Sequence, residues 1–92
     1  MKRVFKYDIN PGGESVVQMP IGSSLLHVSQ QTDNDVKLWA IVEDTALLVP
    51  RHFFVVGTGH ALPDDIYTKY RYVGTVHVWS GAIVLHVFEV MI

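Results

Sequence analysis

Hydrophobic and polar positions alternate along this chain mainly with a period of two, in short runs of β-branched and aromatic residues separated by Gly, Pro, Asn and Asp. Such alternation is typical of β-strands that bury one face, because successive side chains of a strand point to opposite sides. The pattern predicts seven strands, at residues 3–9, 15–19, 24–31, 36–43, 52–58, 72–79 and 82–90. We therefore predict an all-β fold, a small antiparallel sandwich or barrel formed by a single domain over residues 1–92.

Two turn-forming segments predict how strands are connected. Residues 10–13 (NPGG) and 32–35 (TDND) carry the residue types that tolerate a left-handed backbone or preset φ, and each is interpreted as the turn of an antiparallel hairpin. Residues 43–50 are too short to nucleate a stable helix and end in a proline, so they are predicted to be a connection.

The longest hairpin is predicted over residues 72–90, with Ser80 and Gly81 as a two-residue loop. This register places Trp79 opposite Ala82, His77 opposite Val84, Thr75 opposite His86 and Val73 opposite Phe88. The core side is then aliphatic, with Val76, Val78, Ile83, Leu85 and Val87, and the other side is aromatic and polar.

Four residues outside the predicted core are candidates for a subunit interface or a second ligand face: Trp39, His77, Trp79 and His86. Trp39 alternates with inward-facing Leu38 and Ala40, so it either anchors an interface or closes one end of the core. His77 and His86 are diagonal neighbours, and are interpreted as half-buried sheet residues, as ligand contacts, or as a metal pair needing a third group. No spacing matches a dedicated metal motif, so no metal site is predicted.

A glycine-rich segment, GTGH, follows a buried strand and precedes the tyrosine-rich YTKYRY. Backbone amides beside closely spaced glycines suit an anion, and aromatic side chains interleaved with cations suit a nucleotide-like ligand. The predicted ligand-binding residues are Gly57, Thr58, Gly59, His60, Tyr67, Lys69, Tyr70, Arg71 and Tyr72. The alternative is a tight turn followed by a surface loop. The segment is neither a P-loop nor a dinucleotide fingerprint, because the required lysine, third glycine and helix are missing.

Composition narrows the function classes. A hydrophobic content of 49% is high for 92 residues and predicts a homo-oligomer. A net charge of −2 with 7 Lys+Arg argues against binding to duplex nucleic acid. There is no cysteine, which excludes disulfides and thiol chemistry, and no apolar run approaches a membrane span, so a cytoplasmic protein is expected. No catalytic signature surrounds any Ser, His or Asp, and we predict neither enzyme activity nor a cofactor.

An ordered set of short motifs spans nearly the whole chain: FKYDI, PIGSSLLHVSQQ, LWAIVE, GTGH, YVGT and LHVFE. In these motifs the sequence resembles a family of short phage and prophage proteins of unassigned function. The resemblance implies a phage origin and a host bacterial cytoplasm, and brings no catalytic residues with it. The expected function is an accessory factor that antagonises host defence by sequestering a nucleotide-derived signalling molecule. The alternatives are a module that inhibits a host protein through an exposed aromatic face, and a minor structural or assembly protein.

Overall fold

The computed structural model describes residues 1–91, which form two antiparallel β-sheets packed face to face. Within this range the elements are β1 (Lys2–Ile9), β2 (Gly13–Pro20), β3 (Ser24–Ser29), β4 (Val36–Glu43), β5 (Leu48–Gly57), α1 (Ile66–Lys69), β6 (Tyr70–Val78) and β7 (Ile83–Val90). The predicted all-β class and the seven predicted strands are confirmed. The largest difference in bounds is at β5, which begins at Leu48 instead of His52.

The strand order is β1-β4-β3 in the three-stranded sheet and β2-β5-β7-β6 in the four-stranded sheet. The turn at residues 32–35 joins β3 to β4 as an antiparallel pair, as predicted. The hairpin predicted at residues 10–13 is wrong, because β1 pairs with β4 and β2 pairs with β5. Turn residues specify that the chain reverses, whereas the partner of each strand is decided by which apolar faces fit together.

The core lies between the two sheets and is built from the inward positions of the alternating strands. The largest wholly buried side chains are Phe53, Met19, Leu38, Val36, Val42 and Val87. In β4 the predicted division holds: Leu38 and Ala40 are buried, and Trp39 lies on the outer face. Burial of this apolar surface is the main stabilising contribution to the fold.

The connection over residues 43–50 is shorter than predicted, because Leu48, Val49 and Pro50 already belong to β5. Pro50 lies opposite Gln18 of β2, whereas β7 pairs with β5 only from His52 onward. Pro50 therefore has a paired strand on one side only, and sheets tolerate proline at such positions because its missing N–H group is not needed for a second ladder.

The β6–β7 hairpin keeps the predicted register, with His77 opposite Val84 and Thr75 opposite His86. The two-residue loop was wrong: β6 ends at Val78 and β7 begins at Ile83, leaving a four-residue connection. Trp79 and Ser80 adopt φ angles of 53° and 54°, a region unfavourable for residues with a Cβ.

A β-bulge in β6 changes the lower part of that register. The pairing shifts between Tyr72 and Gly74, so Tyr72 lies opposite Phe88, where Val73 was predicted. The bulge leaves Val73 partly buried against the core. It also brings Gly74 against Val28 of β3, so that the edges of the two sheets are in direct contact.

Residues 58–69 cross over the four-stranded sheet. Strands β5 and β6 are both antiparallel to β7 and lie on either side of it, so they run in the same direction. The chain must therefore return along the length of β7. It does so over the outer face, because the inner face of the sheet is already covered by the other sheet. Leu62 of this crossover segment lines a cavity with His86 and Phe88 on the outer face. The Met91 amide donates to the Lys69 carbonyl at 2.7 Å, and this bond fixes the far end of the crossover segment.

Candidate functional site

The GTGH segment forms a tight turn at the end of β5. The His60 amide donates to the Gly57 carbonyl at 3.2 Å, and Gly59 has a φ of +86°, which only glycine adopts without strain. The Thr58 amide donates to the Val84 carbonyl at 3.2 Å, extending the sheet by one bond. Because the amides of Thr58 and His60 donate within the protein, fewer backbone donors remain here for an anion than the glycine spacing predicts.

A chain of side-chain hydrogen bonds crosses the outer face of the four-stranded sheet from this turn. Thr58 Oγ1 lies 2.7 Å from His86 Nε2, and His86 Nδ1 lies 3.0 Å from Thr75 Oγ1. Thr75 Oγ1 lies 2.5 Å from the Tyr72 hydroxyl. A neutral imidazole has one donor and one acceptor nitrogen, so one threonine hydroxyl donates to the ring and the other accepts from it. The His86 ring is thereby held on both sides, on β7, which lies between β5 and β6.

A cleft of about 750 Å³ opens beside the turn, and we call it the glycine-turn cleft. It is bounded by Pro11, Gly12, Gly13, Phe54, Val55, Val56, Gly57, Thr58, His60, Ala61, Ala82, Ile83, Val84 and Leu85. Its walls are mainly apolar, and Thr58 and His60 are its polar lining residues. The same two residues also line the smaller cavity, of about 150 Å³, that contains His86 under the crossover segment. An apolar cleft with a few convergent polar groups is the usual form of a small-molecule site.

The tyrosine-rich segment is distributed over several environments. Tyr70 packs against Phe54 with ring centroids 5.9 Å apart, and Tyr72 packs against Phe88 at 5.8 Å. These two tyrosines therefore belong to an aromatic layer on the outer face of the four-stranded sheet. Tyr67 lies on α1 and is 96% exposed, and Lys69 is exposed at the end of the same helix.

Arg71 lies at the opposite end of the sheet from the glycine turn. Gly57 is opposite Leu85 of β7, whereas Arg71 is opposite Glu89. Those two β7 positions are about 13 Å apart at the usual strand rise. The nine predicted ligand-binding residues thus do not converge on one point of this chain: Gly57, Thr58, Gly59 and His60 lie at one end, and Arg71 lies at the other.

An arginine–glutamate pair that sequence reasoning missed lies beside Arg71. Arg51 Nε and Nη2 donate to the two carboxylate oxygens of Glu89 at 2.6 and 2.8 Å, and Arg51 Nη1 donates to the Ser23 carbonyl at 2.5 Å. Glu89 is 5% exposed, and its hydrogen bonds are the main cause of the raised pKa of Arg51. The signal in the sequence was Glu89 itself, because it continues the inward series of Leu85 and Val87 and a buried carboxylate needs a cation.

The residues predicted for an interface or a second ligand face do not share one surface. Trp39 lies on the outer face of the three-stranded sheet, with its ring centroid 6.1 Å from that of His27. His77 and His86 occupy the outer face of the other sheet, on the opposite side of the molecule. Trp79 lies in the β6–β7 connection, 57% exposed, and its amide donates to the Asp33 carbonyl at 2.7 Å.

Comparison with known protein families assigns the chain to one of them. A family model described as a domain of unknown function, DUF7352, matches residues 1–91. The chain belongs to this family. No curated protein and no solved structure matches the chain.

Two further findings concern metal ligands and membrane-spanning helices. Among residues 1–91, no group of three or more His, Cys, Asp or Glu side chains is arranged to hold a metal ion. The described part of the chain contains no helix long and apolar enough to cross a membrane.

Proposed function

We propose that this protein binds and sequesters a small nucleotide-derived signalling molecule without catalysing a reaction on it. The observation that carries the proposal is the glycine-turn cleft, whose apolar lining is interrupted by Thr58 and His60. Its volume of about 750 Å³ is within the range of sites that enclose a small organic ligand. Thr58 keeps hydrogen-bonding capacity beyond its bond to His86, and the exposed His60 ring lies against Gly57.

The partners of His86 support binding in preference to catalysis. Thr58 and His86 are within hydrogen-bond reach, as a nucleophile and its base would be. The other ring nitrogen, however, bonds to the neutral hydroxyl of Thr75. In hydrolytic triads a carboxylate in that position stabilises the imidazolium that forms when the histidine accepts a proton. Thr75 cannot supply that charge, so His86 is suited to orienting Thr58 towards a ligand.

The resemblance to short phage and prophage proteins extends this proposal to a biological role. A phage protein that removes a nucleotide signal from the host bacterial cytoplasm would antagonise the defence that depends on this signal. Stoichiometric capture requires a binding site and no turnover, which agrees with the chemistry inferred for His86.

Self-association is part of the same proposal. On the outer face of the three-stranded sheet, Val4 lies opposite Ile41, and their side chains are 58% and 38% exposed. Together with Trp39 in the same strand as Ile41, they form an apolar patch of the kind that subunit interfaces cover. The same patch favours a second candidate function, in which the protein docks on a host protein. A discrete oligomer that Ile41→Lys converts to monomers, while Val16→Lys on the other sheet does not, supports the first use of this patch.

Native mass spectrometry of the purified protein with a panel of cyclic nucleotides and ADP-ribose derivatives tests the proposal. We expect a discrete oligomer that gains one ligand mass per site, with the ligand recovered chemically unchanged. Thr58→Val and His60→Ala should each weaken binding, because they remove the polar groups of the cleft. His77→Ala is the matched control, since His77 is an exposed histidine of the same sheet outside this cleft. Equal affinity of the wild type and both cleft variants would exclude the cleft, and a converted ligand would exclude sequestration.

A further inference from the structure

The edges of the two sheets are in close contact at Gly74 and separate towards one end of the molecule. At Gly74, an added Cβ would lie closer than 3.0 Å to Val28 Cγ2, so β3 and β6 are in contact there. From this contact towards the first residues of both strands, a cavity of about 350 Å³ lies between them. We call it the arginine slot; it is bounded by Ser24 of β3, Arg51 of β5, and Arg71 and Tyr72 of β6.

Both edge strands carry a β-bulge beside this slot. The register of β3 shifts between Leu25 and His27, and that of β6 shifts between Tyr72 and Gly74. Leu26 and Val73, the bulged residues, both line the slot. A bulge bends its strand and redirects side chains, and bulges are enriched next to functional sites. Two bulges facing each other give the slot its width.

The slot is rich in hydrogen-bond donors and poor in free acceptors. Both carboxylate oxygens of Glu89 accept from Arg51, and the Ser23 carbonyl accepts from Arg51 Nη1. Arg51 uses three of its five N–H groups in these bonds, so two remain. The Arg71 side chain is exposed and makes no hydrogen bond or ion pair to any residue of the range 1–91. With Arg51, Arg71 and Glu89 the local charge is one positive unit, and the free donors belong to the cations.

Within residues 1–91 the Arg71 side chain is unpaired for an identifiable reason. It lies directly opposite Glu89 in the β6–β7 ladder, where a cross-strand ion pair is the usual arrangement. Arg51 takes both oxygens of that carboxylate from the neighbouring strand, and so fixes Glu89 away from Arg71. The guanidinium of Arg71 therefore keeps its planar set of donors for another oxyanion.

We infer that the arginine slot binds the phosphate group of a small phosphate monoester, with Arg71 as the main contact and Ser24 and Arg51 as further donors. Tyr72 lines the slot next to Arg71, while its ring packs against Phe88 on the outer face of the four-stranded sheet. This site is separate from the glycine-turn cleft, at the other end of β7, and does not depend on the function proposed for the cleft.

Titration with phenyl phosphate, followed by NMR of backbone amides and arginine side chains, tests this inference. We expect saturable shifts of the Arg71 side chain and of the Ser24 and Val73 amides. Arg71→Gln should lower the affinity by roughly tenfold or more, the consequence of losing one charge-assisted interaction. Ser24→Ala should lower it to a smaller extent.

Arg3→Gln is the matched control, because it removes the same charge from an exposed arginine of the other sheet, where Arg3 Nε bonds to Asp44 Oδ2 at 2.5 Å. Its affinity should equal that of the wild type. Equal losses in Arg71→Gln and Arg3→Gln would overturn the slot as the site and indicate a general charge effect. Saturation of the wild type without shifts around the slot would also overturn it. Thr58→Val should leave phenyl phosphate binding unchanged, so failure at the slot is distinguishable from failure at the cleft.

Discussion

Replacement of Gly74 by alanine tests the closest approach between the two sheets. The added Cβ would overlap Val28 Cγ2, and Val28 is 4% exposed in the core. Valine is short and strongly restricted at χ1, so it cannot turn away as a long side chain would. The strands or the core must shift instead, and overpacking of this kind costs about 1–3 kcal/mol. We expect a loss near the middle of that range, after the small gain in strand propensity from replacing glycine.

The measurement is equilibrium unfolding by urea, with thermal unfolding as a second readout. In a domain of this size a loss of about 2 kcal/mol lowers Tm by roughly 8–16 °C. Val28→Ala alone removes two buried methyl groups and should cost about 2 kcal/mol, including the cavity that it leaves. In the double variant the methyl group introduced by Gly74→Ala enters the space vacated by the valine side chain, so the combined loss should be smaller than the sum by about 1–2 kcal/mol.

Gly12→Ala is the control, because an added Cβ at Gly12 meets no atom within 4 Å and the residue has no positive φ. It should leave stability unchanged or raise it slightly through the unfolded state. The reasoning is refuted if Gly74→Ala unfolds within about 0.5 kcal/mol of the wild type, or if the losses at Gly74 and Val28 are additive within that error.

Three further predictions concern the ion pair, the β6–β7 connection and the β3–β4 turn. Arg51→Met should destabilise the protein by about 3 kcal/mol, because it leaves the Glu89 carboxylate buried without its partner, and the double variant Arg51→Met with Glu89→Leu should regain most of this loss in urea unfolding. Ser80→Gly should raise stability by roughly 1 kcal/mol, since glycine adopts the φ of 54° without a Cβ clash; Ser80→Ala should not, and equal Tm values for both variants would contradict the strain. The pKa of Asp35 is lowered chiefly by the amide of Thr32. Stability from this carboxylate is complete above its unfolded value of 3.8 and is lost as pH falls through the folded pKa. Asp35→Asn keeps an acceptor that does not titrate, so its Tm should decrease less than that of the wild type below pH 3.8, and parallel pH profiles would count against this contribution.

Sequence reasoning predicted the strands because their signal is local. β4 has the predicted bounds, and its inward residues alternate without interruption with Trp39 and Ile41. The register of His77 with Val84 was also predictable, because a four-residue connection from Trp79 to Ala82 leaves the same residues opposite each other as a two-residue loop does. The separation of β1 from β2 was not predictable, since nothing in residues 10–13 distinguishes a hairpin from a step between sheets.

Individual residues of the candidate site were predicted from the sequence, but the way the fold arranges them was not. GTGH was correctly placed at the end of a strand, and Thr58 bonds to His86, a residue assigned to another candidate surface. The distance between the glycine turn and Arg71 depends on β6 being parallel to β5, which is a property of the sheet order. The Arg51–Glu89 pair likewise joins strands that are far apart in the chain, and alternation alone indicates only that Glu89 points inward.

The crossover segment explains why the GTGH segment can be interpreted both as a structural turn and as part of a binding site. Because β5 and β6 run in the same direction on either side of β7, the chain must leave β5 abruptly and return across the outer face, and Gly59 supplies the positive φ for this reversal. That face also carries aromatic residues such as Phe88, which packs with Tyr72. A turn demanded by topology thus creates a cleft lined by Thr58 and His60, and the sequence pattern is the same whether or not the cleft is occupied. The arginine slot differs, because within residues 1–91 the Arg71 side chain has no partner although it lies opposite a buried carboxylate.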